Sequence, residues 1–348
     1  MPHRTQGWLL TAATALLPLL GGCPGPDPQA DPLVTISSAR TTLIRSTVDP
    51  QPLTRAHALE AVTQVLPIAE AGPLLLRGLG DKNPAVRFAA TMGIGDCRYA
   101  PARATLLKMA GDKSLEPDRR VYCAIIYALH MLGNDTHAPD LAALLGDREK
   151  EVRAQAALAM GKMGEVSAVG PLKTLLSDER EALVELQVVE SLALLGDEGS
   201  LLRLEAYVKR PFLDERLVAV GAMARTGSQR WLAVLQEVLD RPGQPQVRAA
   251  AAGALGRLGR VDPEGCRLCL RALTQAQAML EAAQTHAEPK PEEVDSLRQI
   301  AALALGWMGD RSASGALEPL LRDSSGAVRV AAALSILRLA GAAGEAGR

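Results

Sequence analysis

Nine imperfect copies of one segment of about 31 residues fill most of the sequence, and they restrict its fold more than any other feature. The run from Glu151 to Gly164 returns from Val247 to Gly256 and from Leu297 to Gly306, and Val86-Arg87 and Val328-Arg329 open two further copies. With the Val of Val-Arg as marker, equivalents fall at Thr54, Val86, Val121, Val152, Val184, Glu215, Val247, Leu297 and Val328. The intervals are 32, 35, 31, 32, 31, 32, 50 and 31 residues. Within a copy, Val152, Ala156, Ala159, Met160 and Met163 recur at helical spacing and share one face. Gly133, Gly164, Gly196, Gly227, Gly259 and Gly309 each close such a helix, where a left-handed residue is needed. A shorter amphipathic stretch follows, as in Val169 to Leu176, so each copy reads as a helical hairpin. One hairpin cannot bury its apolar face alone, so the copies must stack. Aromatic residues make up only 3% of the chain, and the Ala-rich faces that replace them let helices approach closely. The fold class expected is all-α, one elongated and curved solenoid of about nine hairpins.

These residues resemble HEAT repeats, in the short variety also seen in phycobilisome-lyase-type proteins, over residues 33–341. The resemblance implies a right-handed α-solenoid. It also implies an Asp in the turn before each second helix and an Arg just inside that helix, forming a ladder between repeats. Asp49/Arg55, Asp81/Arg87, Asp147/Arg153 and Asp323/Arg329 stand at this spacing, six residues apart. The pattern departs at Tyr122, at Glu185 and around Asp240/Arg248. Ankyrin and tetratricopeptide signatures are absent from the sequence. The 50-residue interval marks a longer hairpin near 263–296. Cys269 to Ala287 holds no helix breaker, so its first helix should be overlong, with Glu288 to Glu293 as a loop.

The amino-terminal end carries an address. Arg4 precedes thirteen uncharged residues, Trp8 to Leu20, too short to span a bilayer and suited to a signal peptide over 1–22. Leu20-Gly21-Gly22-Cys23 resembles the lipobox of bacterial lipoproteins. That resemblance implies cleavage before Cys23 and attachment of palmitate-type acyl chains to its sulfur. Residues 23–32, rich in Pro, form a tether, and residues 342–348 form a flexible tail. Pro24 is not the Asp that resembles an inner-membrane retention signal, which favours the outer membrane, facing the periplasm or the cell surface.

No catalytic, metal or cofactor motif emerges. His57, His130, His137 and His286 are scattered, and no nucleophile elbow, phosphate loop or zincin motif occurs. With 38 bases against 39 acids, the chain lacks the basic excess of a nucleic-acid binder. Cys97, Cys123, Cys266 and Cys269 remain after Cys23, and Cys266-Arg267-Leu268-Cys269 matches C-x-x-C without a thioredoxin-like context.

In the family the second helices line the concave wall. Ten residues beyond each marker the row reads Gln64, Asp96, Met131, Lys162, Leu194, Arg225, Arg257, Trp307 and Arg338. Tyr127 stands in the row six beyond. Arg, Tyr and Trp dominate binding hot spots, so Tyr127, Lys162, Arg225, Arg257, Trp307 and Arg338 are the candidate partner contacts, suited to an acidic or extended polypeptide. The function expected is a non-catalytic, lipid-anchored envelope scaffold for a protein partner, with no small-molecule substrate evident. Two other readings are a bilin lyase-like helper, implied by the resemblance, and an envelope folding factor using Cys266 and Cys269.

Overall fold

The computed structural model describes residues 32–112, 114–283 and 288–345. The signal peptide, Cys23, the tether as far as residue 31, and His286 therefore lie outside the described residues. Among the described residues there are eighteen α-helices, five short 3-10 turns and no strand.

The helices form two concentric layers. The outer layer holds α1 (Pro32–Ser46), α3 (Ile68–Gly78), α5 (Arg103–Gly111), α7 (Asp140–Leu144), α9 (Val169–Asp178), α11 (Glu198–Val208), α13 (Leu232–Asp240), α15 (Pro263–Ala283) and α17 (Ser314–Leu317). The inner layer holds α2 (Pro52–Val65), α4 (Pro84–Asp96), α6 (Arg119–Met131), α8 (Lys150–Met163), α10 (Ala182–Leu194), α12 (Leu213–Thr226), α14 (Pro245–Arg257), α16 (Pro291–Met308) and α18 (Gly326–Glu345). Each inner helix packs on the next. Val152, Ala156, Ala159 and Met160 are buried in α8, with Met163 half-buried at its end. The six glycines expected to close helices all adopt positive φ, Gly164 at 78° among them, and no other described glycine does.

The array is not elongated. α18 packs against both α1 and α2, so the ninth hairpin meets the first and the solenoid closes into a ring. One hydrophobic core cluster is continuous across this closure, joining Leu186 to Leu339 with Ala39 to Leu129, and a second, from Met92 to Leu192, fills the sector around α8. At the seam, Thr35 donates to Glu318 at 3.0 Å, and Arg329 pairs with Asp49 at 2.8 Å. Gly326 lies so close to Thr54 that a Cβ there would sit 2.0 Å from its Oγ1. A steady small turn between hairpins, summed over nine, brings the end faces together. An open solenoid must cap two such faces with polar residues; a ring buries them.

The ladder residues show why the turn is steady. Arg55, Arg87, Arg153 and Arg329 each donate through Nη1 to the backbone carbonyl of the Asp six residues earlier, which holds the hairpin's own turn. The rest of the guanidinium reaches the following hairpin. Arg55 binds Asp81 through two bonds of 2.8 Å, Arg87 binds Glu116 at 2.6 and 2.9 Å, and Arg153 binds Glu179 at 2.8 and 2.9 Å. Arg329 extends the series across the seam to Asp49. The Asp/Arg pairs six apart thus meet through the backbone, and their side chains join adjacent hairpins. Where Tyr122 replaces the Arg, Arg119 on the same helix binds Asp147 instead. At Glu185 the polarity reverses, and Arg203 approaches it at 3.8 Å. Arg248 donates to the Leu239 carbonyl rather than to an acid.

In the long hairpin, α15 spans 21 residues with a break at Gln275 (φ −124°, ψ 23°). The expected loop ends earlier than Glu293. Pro291 starts α16, Glu293 accepts the Lys290 amide at 3.0 Å, and the two acids of this first turn suit the helix dipole. α18 likewise runs to Glu345, into the segment 342–348 read as a tail.

Candidate binding site in the ring lumen

Closure converts the concave wall into a lumen of about 1610 Å³. Gln64, Asp96, Lys162, Leu194, Arg225, Arg257, Trp307 and Arg338, all from the row ten beyond the markers, line it, together with Glu60 and Glu190. Met131 is the one member of that row not among the lining residues. The six candidate contacts divide into two groups.

Three have their binding capacity already engaged. Tyr127 is only 2% exposed, and its hydroxyl donates to Asp96 at 2.5 Å. Burial, then the Asp96 charge, holds its phenol above the usual value. It is not available as a contact, because Lys162 covers it with Nζ 5.0 Å from the ring centroid. Lys162 is itself paired with Asp96 at 2.6 Å, reaching from α8 to α4 across the intervening α6. Arg225 is paired with Glu190, which is buried and also accepts from Gln187.

The other three form one cluster. Arg257 and Arg338 lie over the same Trp307 ring, their guanidinium carbons 4.7 and 3.9 Å from its centroid. No acid pairs with either Arg among the described residues. Arg338 donates from Nη2 to Gln64, across the seam, while its Nη1 is buried without a hydrogen-bond partner. Burial, and then the Arg257 charge, pushes Arg338 down to about 10. Burial and the Arg225 charge lower Arg257 as well. Glu60 is wetted by the lumen, yet the surrounding protein shell keeps bulk water away and raises its carboxyl.

Among the described residues no group of three or more His, Cys, Asp or Glu is arranged to hold a metal ion, and no helix is long and apolar enough to cross a membrane. Cys97, Cys123 and Cys269 are free thiols. Cys269 is therefore not joined to Cys266, and burial pushes its thiol up to about 12. Sequence reasoning placed the lumen row but missed that Asp96 and Glu190 neutralise two of its bases. It also missed Gln64 as the partner of Arg338, since only closure brings α2 beside α18.

The fold and lumen define a closed α-solenoid of helical hairpins. Residues 39–121 and 113–193 match the family model for HEAT repeats, so this part of the chain carries HEAT repeats. Among solved structures, the chain is similar to the complex of CpcE and CpcF of phycocyanin lyase from Nostoc sp. PCC7120. The identity is 17% and the TM-score 0.42, over 74% of this chain and 96% of that one. It is also similar to human deoxyhypusine hydroxylase in complex with glycerol, at 19% identity and TM-score 0.36, over 89% of this chain and 100% of that one. No curated protein sequence matches this chain significantly.

Proposed function

We propose that this protein is a non-catalytic scaffold, tethered to the outer membrane by acyl chains on Cys23, that binds a protein partner through the lumen of its ring. The observation that carries this reading is the pair of unneutralised guanidiniums on Trp307, exposed to a lumen that the ring encloses. Arg and Trp supply much of the energy of protein interfaces, and charge without an internal partner suits an acidic polypeptide segment. The anchor rests on the order of features in the sequence: the uncharged run, Gly21-Gly22 before Cys23, and the Pro-rich tether.

Two experiments separate the two halves of the reading. Replacement of Cys23 by Ala should move the protein from the membrane to the soluble envelope fraction; unchanged fractionation would refute the anchor. Crosslinking and affinity capture from membranes should recover a partner with the native protein. The triple substitution of Arg225, Arg257 and Arg338 to Glu should lose that partner. Equal recovery by the variant would remove the lumen from the account.

A further inference from the structure

We infer that the lumen cluster Arg257–Trp307–Arg338 receives the end of a polypeptide chain, with the partner's free C-terminal carboxylate on Arg338 and its last side chain against Trp307. This deepens the scaffold reading and rests on it.

Three features of the lumen favour a chain end over a chain middle. The first is closure. A ring offers no open side along which an extended segment could be laid, so a partner folded at both ends of the segment has no route in. A chain end can enter through one mouth. The second is bracing. The Lys162–Asp96 pair joins α8 to α4 across α6, and Arg338–Gln64 joins α18 to α2, so the wall is braced against opening for a chain inserted from the side. The third is charge. Lys162 and Arg225 are matched by Asp96 and Glu190, Glu60 interacts with the same Lys162 side of the wall, and Arg257 and Arg338 have no paired acid among the described residues. Two unmatched guanidiniums suit one terminal carboxylate plus one acidic side chain, and a guanidinium engages a carboxylate through paired N–H donors.

The position of Arg338 selects it as the anchor. Arg257 closes the last turn of α14, where a base also offsets the helix dipole. Arg338 lies well inside α18, so no such role accounts for it. Its side chain lines the lumen, and its Nη1 finds no hydrogen-bond acceptor among the described residues. Burial and the neighbouring Arg257 charge already disfavour its cation, and an anion would relieve both effects.

The test uses the full mature chain and two labelled peptides, each a short Gly/Ser segment ending in Glu-Leu, one with a free carboxylate and one amidated. Fluorescence anisotropy should show the free acid binding at least about tenfold more tightly than the amide. Arg338→Gln should abolish that difference while circular dichroism stays unchanged. Trp307→Leu should weaken the free acid without restoring the amide. Equal binding of acid and amide would overturn the chain-end assignment and leave the scaffold reading intact. Binding of citrate alone as tightly as the free-acid peptide would also overturn it, since the site would then take a small anion. Failure of both peptides, together with partner capture indifferent to the triple charge reversal, would overturn both readings.

Discussion

Arg338 holds a charge where the fold gives it little in return. Its depressed value of about 10, against 12.5 for a free guanidinium, means the folded state is destabilised at neutral pH and relieved as pH rises through about 10. The shift corresponds to roughly 3 kcal/mol. Solvent in the lumen screens part of this, and the contact with Trp307 returns about 1–2 kcal/mol. Arg338→Met should therefore be neutral to stabilising, with a melting temperature up to about 2 °C higher at pH 7. A lower melting temperature by calorimetry would show that the contacts with Trp307 and Gln64 outweigh the buried charge. Tyr127 shows the opposite case. It is packed under Lys162 and tied to Asp96, so Tyr127→Phe should leave partner capture unchanged while slightly weakening the α4–α6–α8 junction. Loss of partner capture in that variant would return Tyr127 to the contact surface.

At the scale of the element, the guanidinium ladder sets the spacing of hairpins. Hydrogen bonds from Arg153, aided by the Glu181 and Arg180 amides, hold the Glu179 carboxyl down at about 2. A carboxylate held low stabilises the fold fully above its usual value of 4.5, and that stabilisation is lost as pH falls from there through about 2. Thermal melts of the native chain should drop more steeply between those values than melts of Glu179→Gln. At pH 7 the variant should be less stable by about 1–3 kcal/mol. Identical pH slopes would mean the pair is not a source of acid sensitivity. The pairing also accounts for what a sequence pattern of Asp and Arg six apart conveys: an Arg locking its own turn by backbone carbonyls. Its side-chain partners on the next hairpin, Glu116 and Glu179, carry an acid of a different length and escape that pattern. Arg119 escapes it too, because it approaches Asp147 from another turn of the same helix.

The whole molecule is governed by the seam. Core packing continues from α18 onto α1 and α2, and the ladder crosses there through Arg329 and Asp49. Gly326→Leu combined with Arg329→Glu should open it, because the new side chain would collide with Thr54 and the new charge would repel Asp49. The expected results are a larger radius of gyration by small-angle scattering and faster hydrogen exchange in α1 and α18. The stability loss should be about 1–3 kcal/mol. Unchanged scattering and exchange would mean the ring closes without these contacts.

Much of this was legible along the chain: the helical hairpins from apolar spacing, their ends from six glycines, and the lumen row from its fixed offset to the markers. These are local properties, since helix periodicity and a left-handed cap depend on residues within a few turns. Closure was not legible. A small angle between hairpins leaves no mark on any one copy, yet over nine copies its sum separates an open rod from a ring. The chemistry of the lumen followed the same division. The order of residues supplied the bases Lys162, Arg225, Arg257 and Arg338. Tertiary packing alone decided that Asp96 and Glu190 cancel two of them and that Arg257 and Arg338 keep their charge, because Coulomb interactions depend on distances the closed ring creates.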